Sequence, residues 1–145
     1  MSLRSTVVVA LLPWVVSGCS LVAQPDTAGW DRSARQAVTD ATSEVATTRL
    51  AVETAHEERA WSTYTLVVVA EAEEAMGTVQ DDVSRLQVPA GRGDDADDLE
   101  ALLDDAAGAV QEARQHATDG RYDDPRLLEL LDRVEEQLSR AEDRW

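Results

Sequence analysis

Metal coordination is the first chemistry that this sequence suggests, because a glutamate and a histidine stand three residues apart at Glu53 and His56. Ferritin-like di-iron bundles use two such Glu-x-x-His pairs and two further glutamates, all directed into the core. Only one pair occurs here, and it lies near a predicted helix end, away from the centre of the apolar stripe. Glu112 and His116 also lie off the stripe of their helix. We therefore interpret both histidines as solvent-exposed and predict no metal site and no cofactor; a metal site, as the alternative, would involve Glu53 and His56.

Calcium binding is the second chemistry to weigh, because Asp94, Asp95, Asp97 and Asp98 lie close together. An EF-hand loop requires alternating oxygen ligands, a central glycine and a glutamate at the twelfth position. That spacing is missing from this segment. The four aspartates are instead typical of a helix start, where the helix dipole stabilises negative charge.

Catalytic nucleophiles and phosphate-binding loops have no signature in the chain. Serine and threonine are frequent, but none lies in the G-x-S-x-G turn that exposes a nucleophilic serine. No glycine-rich phosphate loop is present either. We therefore predict that the protein is not an enzyme.

The only cysteine, Cys19, follows an apolar run from Val7 to Val16 and two small residues, Ser17 and Gly18. A secretory signal peptide has a basic start, an apolar run of roughly 7–15 residues and a small-residue cleavage site. Arg4 supplies the basic start. The run is too short to cross a bilayer, which takes about 20 residues.

The sequence Val16-Ser17-Gly18-Cys19 resembles the lipobox of bacterial lipoproteins. The resemblance covers residues 1–19 and implies that residues 1–18 are a cleaved signal peptide. It also implies that the Cys19 thiol carries a diacylglycerol, which would anchor the protein to the outer, extracytoplasmic face of the cell membrane. A plain signal peptide or an uncleaved anchor is the alternative. Residues 19–29, with Pro25 among them, are expected to form the lipidated cysteine and a polar linker.

The composition describes one strongly acidic domain. The net charge of the chain is −16, and residues 1–18 contain one arginine and no acid. Such a surface repels nucleic acid, so a DNA or RNA partner is excluded. One cysteine allows no intrachain disulfide, so packing alone must hold the fold. Lys, Asn, Ile and Phe are absent, which is typical of a GC-rich genome, and the mature domain looks like a small actinobacterial-type helical lipoprotein.

Four amphipathic segments predict an all-α fold, an antiparallel four-helix bundle over residues 30–145. The helices are expected at about 30–56, 63–87, 95–118 and 125–144, with caps at Ser62 or Thr63, Asp94 or Asp95, Gly120 and Asp124. The first stripe is Ala34, Val38, Ala41, Val45, Thr48, Val52 and Ala55; the second is Val68, Ala72, Ala75, Met76, Val79, Val83 and Leu86; the third is Leu99, Leu102, Leu103, Ala106, Val110, Ala113 and Ala117; the fourth is Leu127, Leu131, Val134, Leu138, Ala141 and Trp145.

The break between the first two helices is predicted from geometry, because no glycine or proline marks residues 57–63. One helix from Trp30 to Leu86 would measure about 85 Å at 1.5 Å per residue. Continuing the first stripe at about 100° per residue would also place the second stripe on nearly the opposite side. Two antiparallel helices bring both stripes inward.

These features predict a lipid-anchored, acidic helical bundle that acts as an interaction or spacer protein outside the membrane. Its partners would be the membrane, through lipid on Cys19, and a cationic protein or peptide. The alternative is a lipoprotein that binds a small ligand or a metal between its helices. Aromatic residues near the predicted helix ends are expected to close the ends of the bundle, or to bind a partner if several are exposed together: Trp30, Trp61, Tyr64, Tyr122 and Trp145.

Overall fold

The computed structural model describes residues 26–145, so the predicted signal peptide, Cys19 and most of the predicted linker lie outside the described residues. Four α-helices account for most of this range, and the all-α four-helix architecture predicted from the sequence is confirmed. Their bounds are α1 Thr27–His56, α2 Ser62–Ser84, α3 Gly93–Asp119 and α4 Pro125–Ala141.

Side-chain contacts show that consecutive helices run antiparallel. Arg32 near the start of α1 and Val83 near the end of α2 line one groove. Gln80 near the end of α2 donates to Asp104 of α3 at 2.7 Å, whereas Ser62 at the start of α2 lines a cleft with Ala117 near the end of α3. Arg144, just after α4, pairs with Asp98 near the start of α3. Helix α1 contacts the other three helices, and α3 does the same, whereas α2 and α4 make no contact with each other within the described chain. The diagonal contact of α1 with α3 is possible because both helices bury many alanines, which let two helices approach closely.

The first helix begins earlier than predicted. Its N-cap is Asp26, whose carboxylate accepts hydrogen bonds from the backbone N–H groups of Ala28 and Gly29, both at 3.2 Å. The segment expected as linker therefore contributes the first turn of α1, up to Trp30. All seven residues of the predicted α1 stripe are buried, which confirms the register of this helix.

The break between α1 and α2 is confirmed, but its details differ from the prediction. Trp61 is the N-cap of α2 in place of Ser62 or Thr63, and it makes no side-chain capping hydrogen bond. Thr65 and Val69 are buried, whereas Val68 is half-buried. The predicted α2 stripe is therefore displaced toward Thr65 and Val69 at its start, because α2 meets α1 on one side and α3 on the other.

Two of the other helix ends follow the predicted capping rules. Gly120 ends α3 in the left-handed conformation with φ of 65°, and Asp124 caps α4 with Pro125 in its first turn, both as predicted. Helix α3 begins at Gly93 after Arg92, so Asp94 and Asp95 stand in its first turn and neither is the N-cap. Helix α4 ends at Ala141, a few residues before the predicted end.

Two buried side-chain polar atoms lack a hydrogen-bond partner among the described residues, Thr48 Oγ1 and Trp145 Nε1. The side chain of Thr48 is fully buried. Replacing it with the isosteric valine removes the penalty of a buried, unsatisfied hydroxyl. We expect Thr48→Val to raise the free energy of unfolding by about 1–2 kcal/mol in urea titrations. The neighbouring Thr47→Val, at an exposed position, should change it by less than about 0.5 kcal/mol, and equal effects would contradict this account.

Within residues 26–145, no helix combines the length and the apolar character that a membrane crossing requires.

Candidate functional site

The two metal candidates each have another partner. The Nδ1 atom of His56 lies 2.9 Å from the carbonyl oxygen of Tyr122, so Nδ1 carries a proton and donates it. Glu53 faces Arg49 one helical turn away, at 3.4 Å. Across the described residues, no group of three or more His, Cys, Asp or Glu side chains is placed to hold a metal ion. Both side chains therefore make structural contacts: Glu53 pairs within α1, and His56 joins α1 to the loop between α3 and α4.

His116 is buried, with 8% of its surface exposed, and the prediction that it is solvated was wrong. Its Nδ1 atom lies 3.3 Å from the carbonyl oxygen of Arg121, the residue before the one that His56 contacts. The hydroxyl of Tyr122 lies 3.3 Å from the carbonyl oxygen of Ala117, and burial raises the pKa of this phenol. These contacts hold the α3–α4 loop against the helix ends, so this end of the bundle is closed by polar as well as apolar packing.

The aspartates at the start of α3 are partly used in ion pairs. Asp95 accepts a hydrogen bond from Arg92 at 2.6 Å, and Arg92 also pairs with Asp31 of α1. Asp98 pairs with Arg144, which follows α4. These pairs link the start of α3 to both α1 and the end of the chain. This part of the molecule is therefore a structural junction, and the arrangement is not that of a calcium loop.

Two of the five aromatic residues close the same end of the bundle, as predicted. Trp30 and Trp145 are buried and meet edge to face, with ring centroids 6.4 Å apart and an interplanar angle of 80°. The Arg92 guanidinium lies 5.4 Å from the Trp30 ring centroid, and that of Arg144 lies 5.5 Å from the Trp145 ring centroid. This geometry is favourable for aromatic and cation–π contacts.

Trp61 and Tyr64 do not close the opposite end, because 88% and 64% of their surfaces are exposed. Val67, three residues further, is also exposed. The three side chains are spaced at three-residue steps along the start of α2. We call this set, Trp61, Tyr64 and Val67, the aromatic surface. The sequence indicated such a surface only through the position of the aromatics near a helix end.

The turn that leads to the aromatic surface departs from local rules at two positions. After α1, Glu58 donates its N–H to Ala55 and Arg59 donates to Thr54, the two hydrogen bonds of a Schellman motif. This motif favours glycine at its left-handed residue, yet Glu58 stands there with φ of 56°. A non-glycine residue in this conformation costs about 1–2 kcal/mol. Trp61 then occupies an N-cap position, where Ser, Thr, Asp or Asn would be about 1 kcal/mol better.

Two shallow grooves on the bundle could accept a small ligand. The groove between α1 and α2, about 370 Å³, has an apolar floor that includes Val79, Val83 and Leu86 and a polar edge with Arg32 and Asp40. The groove between α2 and α3, about 460 Å³, is lined mainly by polar side chains that include Glu73, Gln111 and Arg114. Both volumes fall within the range of ligand pockets, roughly 300–1,000 Å³, but both grooves are open to solvent on one side.

Acidic side chains dominate the surface. Among the described residues, 12 acids take part in ion pairs and the other 17 of the 29 do not, whereas only four arginines lack a pair. Partial burial, and secondarily the charge of Asp40, raises the pKa of Glu44. Among the described arginines, Arg49 of α1 alone pairs with three acids, and its hydrogen bond to Glu135 of α4 raises the pKa of its guanidinium. Because most acids have no ion pair, the excess negative charge of the described residues faces solvent without a compensating charge.

The fold and this surface define an acidic, all-α four-helix bundle with an exposed aromatic turn. No protein-family model, no curated protein and no solved structure matches the chain.

Proposed function

We propose that this protein is a lipid-anchored interaction protein of the outer face of the bacterial cell membrane, where it binds a cationic protein or peptide. Cys19 is the proposed lipidation site, and residues 1–18 are the proposed signal peptide. In this view the bundle is a rigid support that holds acidic side chains away from the membrane. No catalytic residue and no cofactor are assigned to it.

The observation that supports a cationic partner is the excess of acids without ion pairs over the whole bundle. The apolar side chains of residues 26–145, by contrast, are mostly buried: 25 hydrophobic residues lie in the core, and five large ones are exposed. A surface of this kind leaves little area for a broad apolar interface. Charge complementarity then provides recognition and speeds the encounter with a partner of opposite sign.

A small-ligand or metal-binding lipoprotein is the second candidate, and the α1–α2 groove is the feature that favours it. Its apolar floor beside Arg32 would suit a small amphipathic anion. Native mass spectrometry of the protein purified gently from its own membrane would support this candidate if a bound small molecule were retained. A mass that corresponds to the chain and its proposed covalent lipid alone would favour the first.

The salt dependence of binding tests the proposed function. The probe is a short peptide of alternating arginine and leucine, labelled for fluorescence anisotropy. Screening lengths fall from about 30 Å at 0.01 M salt to about 8 Å at 0.15 M, so the association rate should fall roughly tenfold or more over this range. Glu53→Gln and His56→Gln should leave binding unchanged, because neither residue is assigned to a site. Binding that persists at high salt and is lost in these two variants would favour the second candidate, as a metal site at Glu53 and His56.

A further inference from the structure

We propose that the aromatic surface at the α1–α2 turn is the docking site for an arginine-bearing segment of the cationic partner. This inference rests on the proposed function and narrows it to one place on the bundle. It begins from Trp61, whose side chain is almost fully exposed at the start of α2. Tryptophan and tyrosine are among the residue types most enriched at interface hot spots.

The local structure of the turn supports a role beyond folding. Glu58 occupies a left-handed position that glycine would fill without strain, and Trp61 occupies a capping position that serine would fill better. Ser62 directly follows Trp61, so a one-residue displacement would have supplied a capping hydroxyl. Sequences break local rules mainly where function compensates for the loss, and here two breaks lie within four residues of each other.

The charges beside the aromatic surface define the chemistry of the occupant. Glu71 lies one turn beyond Val67 on the same side of α2, and Glu58 lies three residues before Trp61. Neither glutamate makes an ion pair with any residue the structure describes. Along the chain, the aromatic surface is thus flanked on each side by an acid without an ion pair, and Arg59, the arginine of this turn, is paired with Glu57. Arginine suits this arrangement because its guanidinium stacks on aromatic faces and pairs with carboxylates.

The position of the α1–α2 turn agrees with a partner that approaches from the side away from the membrane. Helix α1 has 30 residues, so its last turn lies about 45 Å from its first turn at 1.5 Å per residue. The proposed anchor at Cys19 precedes the first turn, whereas the aromatic surface follows the last one. The aromatic surface would therefore stand at the end of the bundle that is away from the anchor.

An anionic membrane and a second copy of this chain are both disfavoured as occupants, because their charge has the same sign as that of the bundle.

The test compares Trp61→Ser and Tyr64→Ser with Val88→Ser, which removes an exposed apolar side chain from the α2–α3 connection. The probe is again the arginine–leucine peptide, and an arginine–serine peptide of equal charge serves as its control. Trp61→Ser should weaken binding of the arginine–leucine peptide roughly 30-fold, the size of an interface hot spot. Tyr64→Ser should weaken it several-fold, and Val88→Ser should leave it unchanged. The arginine–serine peptide keeps the guanidinium groups but lacks the apolar side chains. It should therefore bind more weakly to the original protein, lose a smaller part of its affinity in Trp61→Ser, and bind Val88→Ser unchanged.

Thermal unfolding provides the control for folding. Serine is a better N-cap than tryptophan, so Trp61→Ser should unfold at a temperature equal to or above that of the original protein while it loses binding. Unchanged affinity in both aromatic variants, with salt-sensitive binding retained, would overturn this inference and leave the proposed function standing. Failure of both peptides to bind at low salt would overturn both proposals. Sedimentation that shows self-association through Trp61, or binding of Trp61 to anionic vesicles, would contradict the stated occupant.

Discussion

Replacing Trp145 with alanine is expected to lower the free energy of unfolding by about 3–5 kcal/mol, the usual range for a buried tryptophan. Only 5% of this side chain is exposed, and its ring packs edge to face on Trp30 of α1. Arg144, which lies over the Trp145 ring, also pairs with Asp98 of α3. Loss of the ring therefore leaves a cavity and releases the segment that ties the end of α4 to α1 and α3. The midpoint of thermal unfolding should fall by on the order of 10 °C.

Two matched variants separate packing from other effects of this substitution. Trp145→Phe keeps an aromatic ring and removes the Nε1–H group, which is buried without a hydrogen-bond partner among the described residues. Its cost should be clearly smaller than that of Trp145→Ala, because phenylalanine still fills most of the space that alanine leaves as a cavity. Trp61→Ala makes the same chemical change at an exposed position and should alter stability by less than about 0.5 kcal/mol. Equal losses in Trp61→Ala and Trp145→Ala would contradict the burial of Trp145.

The sequence predicted the number, order and approximate limits of the helices because their apolar residues recur at helical spacing. The break between α1 and α2 was predictable although no glycine or proline marks it, since one long helix could not bury both stripes. Gly120 and the Asp124–Pro125 pair were also predictable, because each is the residue type that its backbone position favours. Local chemistry and tertiary packing agree at all of these positions.

The features that the sequence did not reveal depend on tertiary packing. His116 was expected in water because it lies off the main stripe of α3, but the α3–α4 loop covers it and accepts its hydrogen bond. At the start of α2, burial of Thr65 and Val69 in place of Val68 reflects contact with two neighbouring helices at once. The exposure of Trp61 and Tyr64 was not decided by the sequence, because a position near a helix end is compatible both with closing the bundle and with facing solvent. A sequence pattern describes the apolar face of one helix, whereas the burial of these residues depends on contacts with several elements.

Replacing Cys19 with serine is expected to abolish lipid attachment, because the hydroxyl of serine does not replace the thiol that receives the diacylglycerol in the lipoprotein family that the signal resembles. The protein should accumulate as an unprocessed precursor without lipid label. Attachment to the membrane should be lost as well. Each buried CH₂ of an acyl chain contributes about 0.8 kcal/mol to membrane binding, so two chains hold a protein stably where one holds it marginally. Metabolic labelling with a fatty acid, together with the mass of the purified chain, measures both effects.

Ser20→Ala, one residue beyond the proposed lipobox, is the matched control and should be lipidated and processed normally. A Cys19→Ser chain that still carries lipid, or that is cleaved at the original rate, would show that the anchor is elsewhere and would remove the basis for placing the aromatic surface at the end of the bundle away from the membrane.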